Sequence, residues 1–245
     1  MKRAVIFDWD GTTFLGTDPL PHTAGLLDEC RSMDARAVLV TNNSSRRTSD
    51  YRAILERHGL WSDNLSVVTS NLVAIDYLKT SMRAERVFLL GNAALKSEFA
   101  DSGLILDNES PQAVVVGFDT SLSYDTLQTA HRLIAEGCPF IATHGDRVCP
   151  TADGGLIDCG AFIAALTAST GQPPLIIGKP EQPMCDYLKR DVLEDVTRAI
   201  VVGDRADTDG KLADTLGVPF VQVPAAVTDE AGRAIIEKIH DLMQS

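Results

Sequence analysis

The chain has 245 residues, a net charge of −12 and 44% hydrophobic residues, enough apolar sequence for one large domain or two modest ones. The acidic balance argues against a nucleic-acid backbone as the main partner, because phosphate contacts need clustered Lys and Arg. Five cysteines (30, 138, 149, 159 and 185), odd in number and without CxxC spacing, argue against a disulfide framework or a structural zinc. No stretch approaches the roughly 18 apolar residues of a membrane span. The apolar run after Met-Lys-Arg is too short for a signal peptide, so a cytoplasmic protein is expected.

In chain order, Ala4-Val5-Ile6-Phe7 reads as a buried strand, followed by Leu26, Leu27, Cys30 and Met33 at helical spacing. Ala37-Val38-Leu39-Val40 is a second strand, and a helix is predicted over 49–58 with Gly59 as its stop. Ser66-Val67-Val68 is a third strand, and Ser70 is the predicted N-cap of the helix carrying Leu72, Ile75 and Leu78. The alternation continues through strands at 87–90, 113–116, 140–143, 175–177, 199–202 and 220–223, with helices near 93–100 and 124–135 and a turn-rich stretch at 144–155. This β-α-β-α order argues for an α/β fold with parallel sheets covered by helices.

Four polar clusters each follow a predicted strand, where open α/β sheets bind ligands. In Asp8-Trp9-Asp10-Gly11-Thr12-Thr13, two carboxylates at i and i+2 repel unless a cation lies beside them. Magnesium suits such a pair, since it commonly takes one or two carboxylates plus water and substrate phosphate. One carboxylate can then attack phosphorus, and the other can move protons. Thr41-Asn42-Asn43-Ser44 offers a hydroxyl and backbone N–H groups to a phosphate, or forms an ordinary turn and cap. Lys179, between Gly178 and Pro180, balances a buried negative charge or lies in a surface turn. In Gly203-Asp204-Arg205-Ala206-Asp207-Thr208-Asp209, Asp204 is the third metal-ligand candidate, Asp209 stands behind it, and Asp207 is a helix cap.

In this order, the clusters resemble the haloacid dehalogenase superfamily of aspartate-nucleophile phosphohydrolases. Asp8-Trp9-Asp10-Gly11-Thr12 is similar to its DxDGT motif, Thr41 to its hydroxyl motif, Lys179 to its lysine motif, and Asp204 with Asp209 to its acidic motif. Residues 81–176 look like the large α/β cap of the NagD and p-nitrophenyl phosphatase branch, as do Thr41-Asn42-Asn43, Val115-Val116-Gly117-Phe118-Asp119, Phe140-Ile141-Ala142-Thr143 and Thr170-Gly171.

The resemblance implies a catalytic core of residues 1–80 and 177–245, a Rossmann-like sheet with an inserted cap at 81–176. It implies Asp8 as nucleophile, Asp10 as acid and base, Thr41, Asn42 and Lys179 around the phosphoryl group, and magnesium held by Asp8, the Asp10 carbonyl and Asp204, with Asp209 behind. The expected partner is a small phosphorylated metabolite, such as a sugar phosphate. A homodimer is open, although no apolar stripe in the sequence asks for one. A mutase of the same fold and a binding protein without turnover are the alternatives. Within the cap, His144, Asp146 and Cys159 are the candidate substrate contacts, with His144 read equally as a loop side chain that hydrogen-bonds a neighbour and Cys159 as a small packed residue rather than a nucleophile. Here the chain departs from the branch, with His144 where Asn is usual and Asp158-Cys159 in place of a Pro-Gly pair.

Overall fold

The protein, seen in a computed structural model, is described over residues 2–151, 154–224 and 229–244. Its chain divides into two compact units. The first comprises residues 1–41, 49–68 and 179–245, and the second 42–48 and 69–178. Segments 42–48 and 69–80, expected with the core, therefore fall in the second unit.

The first unit is built on a five-stranded sheet in the order Phe220–Gln222, Arg198–Gly203, Arg3–Asp8, Ala35–Thr41, Leu65–Thr69. Arg3–Asp8 lies in the middle, parallel to both neighbours, and its last five residues are all buried. A strand covered on both faces needs a continuous apolar run rather than alternation, and Ala4-Val5-Ile6-Phe7 supplies it. Its neighbour Ala35–Thr41 is apolar for the same reason. The helices Thr23–Ser32, Thr48–Arg57 and Asp229–Gln244 bring Leu26, Leu27, Tyr51, Leu55 and Ile239 into one core with Phe7, Leu39 and Val202. Trp9 and Trp61 are packing residues: Trp9 is fully buried and stacked on Phe14, with ring centroids 4.0 Å apart, while Trp61 lies partly buried under the Arg52 guanidinium.

The register brings the chemistry to one edge of the sheet. Asp8 pairs with Val40, one residue before Thr41, and Phe7 pairs with Val202, two residues before Asp204. The strand ends at Asp8, and residues 9–14 fold into a tight turn in which the Thr13 and Phe14 N–H groups both donate to the Trp9 carbonyl.

The second unit has its own five-stranded sheet, ordered Leu175–Ile176, Phe140–Ala142, Ala113–Val116, Arg86–Leu90, Ile105–Leu106, with all four pairings parallel. Phe88, Leu90, Val114, Val116 and Ala142 form its core with Leu133, Ile134 and Leu166 from the helices Tyr124–Ala135 and Cys159–Thr170. The stretch 144–155 holds part of an antiparallel hairpin, Val148–Thr151 with Gly154–Ile157. Ser70 is not the cap of the helix Ser70–Thr80. Thr69 is in extended conformation and accepts the Leu72 N–H, while Ser70 Oγ donates to the Asn42 carbonyl. Among the described residues, no helix is long and apolar enough to cross a membrane.

Candidate active site

Three of the four clusters leave the first unit's sheet directly: Asp8 ends the central strand, Thr41 ends its neighbour, and Asp204 follows Arg198–Gly203. Lys179 arrives differently. The strand before it, Leu175–Ile176, belongs to the second unit's sheet, and Lys179 follows Gly178 across the division of the chain. Its ammonium nevertheless pairs with the Asp8 carboxylate and, at 2.8 Å, with Asp209. Thr41 Oγ1 donates to Asp10 Oδ2 at 3.1 Å. Thr13 Oγ1 donates to the Asp8 carbonyl at 2.8 Å, tying the turn beneath the nucleophile candidate.

Asp209 is more central than its expected place. It is 1% exposed, and oxygens of Asp8, Asp204 and Asp209 all lie within 4.8 Å of one another. A Cβ on Gly203 would collide with its carboxylate, so the acid fits there only because position 203 is glycine. The Arg205 N–H also donates to Asp209 Oδ2, at 3.2 Å. Asp207 caps no helix. It is paired with exposed Arg205 at 3.1 Å, and that hydrogen bond lowers its pKa. Gly11 has φ +86°, and a Cβ there would lie 2.6 Å from Asp204 Oδ2. Two of the glycines thus leave room for carboxylates.

The electrostatics leave negative charge in excess. Burial, with Asp209 and Asp10 nearby, pushes Asp8 up to about 8 against the pull of Lys179. Burial and Asp209 raise Asp204 as well. Burial acts to lower Lys179, but Asp209 and Asp8 outweigh it and hold the ammonium above its ordinary range. Three carboxylates face one ammonium. An all-oxygen donor set this close together, short of compensating charge, fits a hard divalent cation such as magnesium.

The candidates of the second unit fare differently. Cys159 is fully buried in the core, its thiol donating to the Val116 carbonyl at 3.3 Å and pushed up to about 12 by burial. That corrects the expectation of a substrate contact. His144 is 1% exposed, so it too is a packed residue rather than a loop side chain open to a ligand. Its Nδ1 lies 3.3 Å from Asp146 and its Nε2 3.5 Å from Asp158. Asp146, with a side-chain exposure of 18%, accepts a hydrogen bond from Asn42 Nδ2 at 2.9 Å. Ser44 and Asp158 complete this group; the sequence names Ser44 only within the Thr41 cluster and Asp158 only as a departure from the branch. Asp158, just before a helix, carried the usual cap signal and does accept the Cys159 N–H.

The haloacid dehalogenase-like hydrolase model matches residues 5–105, and a second model, HAD-hydrolase-like, matches 176–242. The acid sugar phosphatase of Staphylococcus haemolyticus is 31% identical, aligned over 92% of this chain and 86% of its own. The chain belongs to the haloacid dehalogenase-like hydrolases, on their NagD-like phosphatase branch. The 4-nitrophenylphosphatase of Thermotoga maritima superposes with a TM-score of 0.85 at 36% identity, covering 93% of this chain and 88% of that one. A glycerol phosphate phosphatase of Mycobacterium tuberculosis, solved with magnesium, gives 0.79 at 33% identity, covering 92% of this chain and 69% of its own.

Proposed function

We propose that the protein hydrolyses small-molecule phosphate monoesters, such as a sugar phosphate, through a phosphoryl-aspartate formed on Asp8. The observation that carries this reading is the close group of Asp8, Asp204, Asp209 and Lys179 at the end of the central strands, buried except for half-buried Asp204. An Asp8 oxygen attacks phosphorus in line as the bond to the leaving oxygen breaks, and Asp10 gives that oxygen its proton. Asp10 then takes a proton from the water that attacks the acyl phosphate, releasing phosphate and restoring the Asp8 carboxylate. Thr41, the Asn42 segment and Lys179 hold the non-transferring oxygens. Magnesium, held by Asp8, Asp204 and the Asp10 carbonyl, supplies positive charge to those oxygens when bound. Asp209 keeps Lys179 charged and aimed at Asp8.

The cap, residues 81–176 by this reading, excludes bulk water and selects the leaving group. The relatives named above act on sugar phosphates, glycerol phosphate and 4-nitrophenyl phosphate, which supports a small organic phosphate as partner. Free cysteines support a reducing, cytoplasmic setting. Exposed Val148, Leu156 and Ile157 on the second unit give a homodimer an apolar surface, which sedimentation equilibrium tests.

The deciding experiment measures phosphate release from a panel of phosphorylated metabolites, with and without magnesium, for the wild type and Asp8→Asn. Turnover is expected in the wild type with magnesium and absent from the variant, whose circular dichroism is unchanged. Substantial turnover by the variant would sink the assignment of Asp8.

A further inference from the structure

The buried polar group of the second unit has a definite wiring. Ser44 Oγ accepts the Phe118 N–H at 2.8 Å, so its own proton is available to His144 Nε2, 3.2 Å away. His144 Nδ1, buried, lies 3.3 Å from Asp146 Oδ2, within ion-pair distance but without a closed hydrogen bond. The same Asp146 oxygen accepts the Asn42 side-chain N–H at 2.9 Å. Asp158 Oδ1 lies 3.5 Å from Nε2 while capping the helix Cys159–Thr170. Enclosing an imidazole between two carboxylates costs desolvation that an apolar side chain would not incur. An apolar residue, however, would leave Ser44 and Asp146 without their shared partner.

Asn42 is where this chain of interactions leads. Its carbonyl accepts Ser70 Oγ at 2.7 Å. Its side-chain oxygen occupies the space that a Cβ on Gly178 would need. Gly178 in turn donates its N–H to the Thr143 carbonyl, next to His144, at 2.8 Å. Asn42 directly follows Thr41, and Gly178 directly precedes Lys179. Both peptide bonds are points where the chain passes from one unit to the other.

We infer that His144 and Asp146 are positioning residues: by fixing Asn42, and Gly178 against it, they set the backbone leading into Thr41 and Lys179. This rests on the reading of Thr41 and Lys179 as phosphate-holding groups. Neither His144 nor Asp146 touches substrate in this scheme. They act through two peptide junctions, and small displacements of positioned groups are costly in rate.

The test uses 4-nitrophenyl phosphate at saturating magnesium, with kcat and KM normalised to folded protein and melting temperature measured in parallel. His144→Ala and Asp146→Ala are each expected to lower kcat by roughly 10- to 100-fold with KM little changed, because the displaced groups hold the transferring phosphoryl most tightly in the transition state. The double variant should be no slower than the slower single one, since both act on the same link. His144→Gln, which keeps a donor in reach of Asp146, should recover much of the loss. Wild-type kcat in both alanine variants, with only a lower melting temperature, would mean a purely structural role and overturn the inference. Losses that multiply in the double variant would overturn it as well. If His144→Ala does not fold, the partly exposed Asp146→Ala carries the same expectation. An inactive wild type, or an active Asp8→Asn, would instead indict the phosphatase reading and take this inference with it.

Discussion

Replacing Lys179 with Met separates charge from packing at the centre of the site. The side chain is 5% exposed, and its ammonium is the cation paired with both Asp8 and Asp209. Methionine fills most of the stem's volume but leaves those carboxylates buried without their partner. Removing one member of a buried ion pair costs about 3–5 kcal/mol. At roughly 2–4 °C per kcal/mol for a chain of this size, the metal-free variant should melt about 6–20 °C below the wild type. The deficit should also depend on pH. Asp8 has its folded pKa raised from 3.8 to about 8, so the folded state keeps a proton that the unfolded chain releases. Stability of the metal-free protein therefore falls as pH rises from about 4 towards about 8, the reverse of an ordinary paired carboxylate. Without Lys179 the Asp8 pKa rises further and this fall continues to higher pH, so the gap between variant and wild type is wider at pH 8.5 than at pH 6. Magnesium should stabilise each protein, by about 2.7 kcal/mol at a hundredfold excess over its own dissociation constant, and narrow the gap only as far as the variant, with its extra uncompensated charge, binds it more tightly. Differential scanning fluorimetry in EDTA and in magnesium, at both pH values, reads all of this. A variant that melts with the wild type in EDTA at pH 8.5 would refute the charge accounting.

Other expectations are simpler to state. Gly11→Ala places a side chain at φ +86° and 2.6 Å from Asp204 Oδ2, so it should cost about 1–3 kcal/mol and weaken magnesium binding measured by calorimetry. His22 is buried with Nε2 2.8 Å from the Thr12 carbonyl, and burial lowers its pKa below 6.5. Its neutral form is the one that folds, so it contributes stability above pH 6.5 that is lost as pH falls towards its folded pKa. Urea unfolding at pH 7 and pH 5 should show a smaller drop for His22→Gln. Cys30 and Cys159, both fully buried with thiols pushed up to about 12, should resist a disulfide reagent in native protein and react only after unfolding, as peptide mass mapping will show.

The central strand was readable because its physics is local: four apolar residues in a row, then an acid and a Gly-turned loop. The same holds for Ala35–Thr41 and Arg198–Gly203, and so the ends carrying Asp8, Thr41 and Asp204 could be named in advance. What escaped the sequence depends on partners far along the chain. His144 looked like a loop residue because Ser44, 100 positions away, is what encloses it. Cys159 opens a helix, and only the sheet beneath it makes that position a core site. Asp209 came forward because the turn after Asp204 folds its carboxylate over Gly203, a matter of backbone path rather than residue spacing. Ser70 reads as the cap, one residue too late, because the strand Leu65–Thr69 runs one residue further than its apolar pattern and leaves Thr69 to accept the Leu72 N–H. The two-residue strand Ile105–Leu106 and the four-residue arms of the hairpin are too short for a period-2 pattern to register.

The division of the chain also limits how this protein can be recombined with its relatives. The piece that looks like an insert, residues 69–178, is not the whole of the second unit, because the short segment 42–48 belongs with it. A chimera that replaced only the long stretch with a relative's would leave Asn42 and Ser44 behind. They would face the graft's residues in place of Asp146 and His144, which bond them here. Moving the second unit intact is thus a two-fragment exchange, and the seven-residue fragment lies immediately behind Thr41.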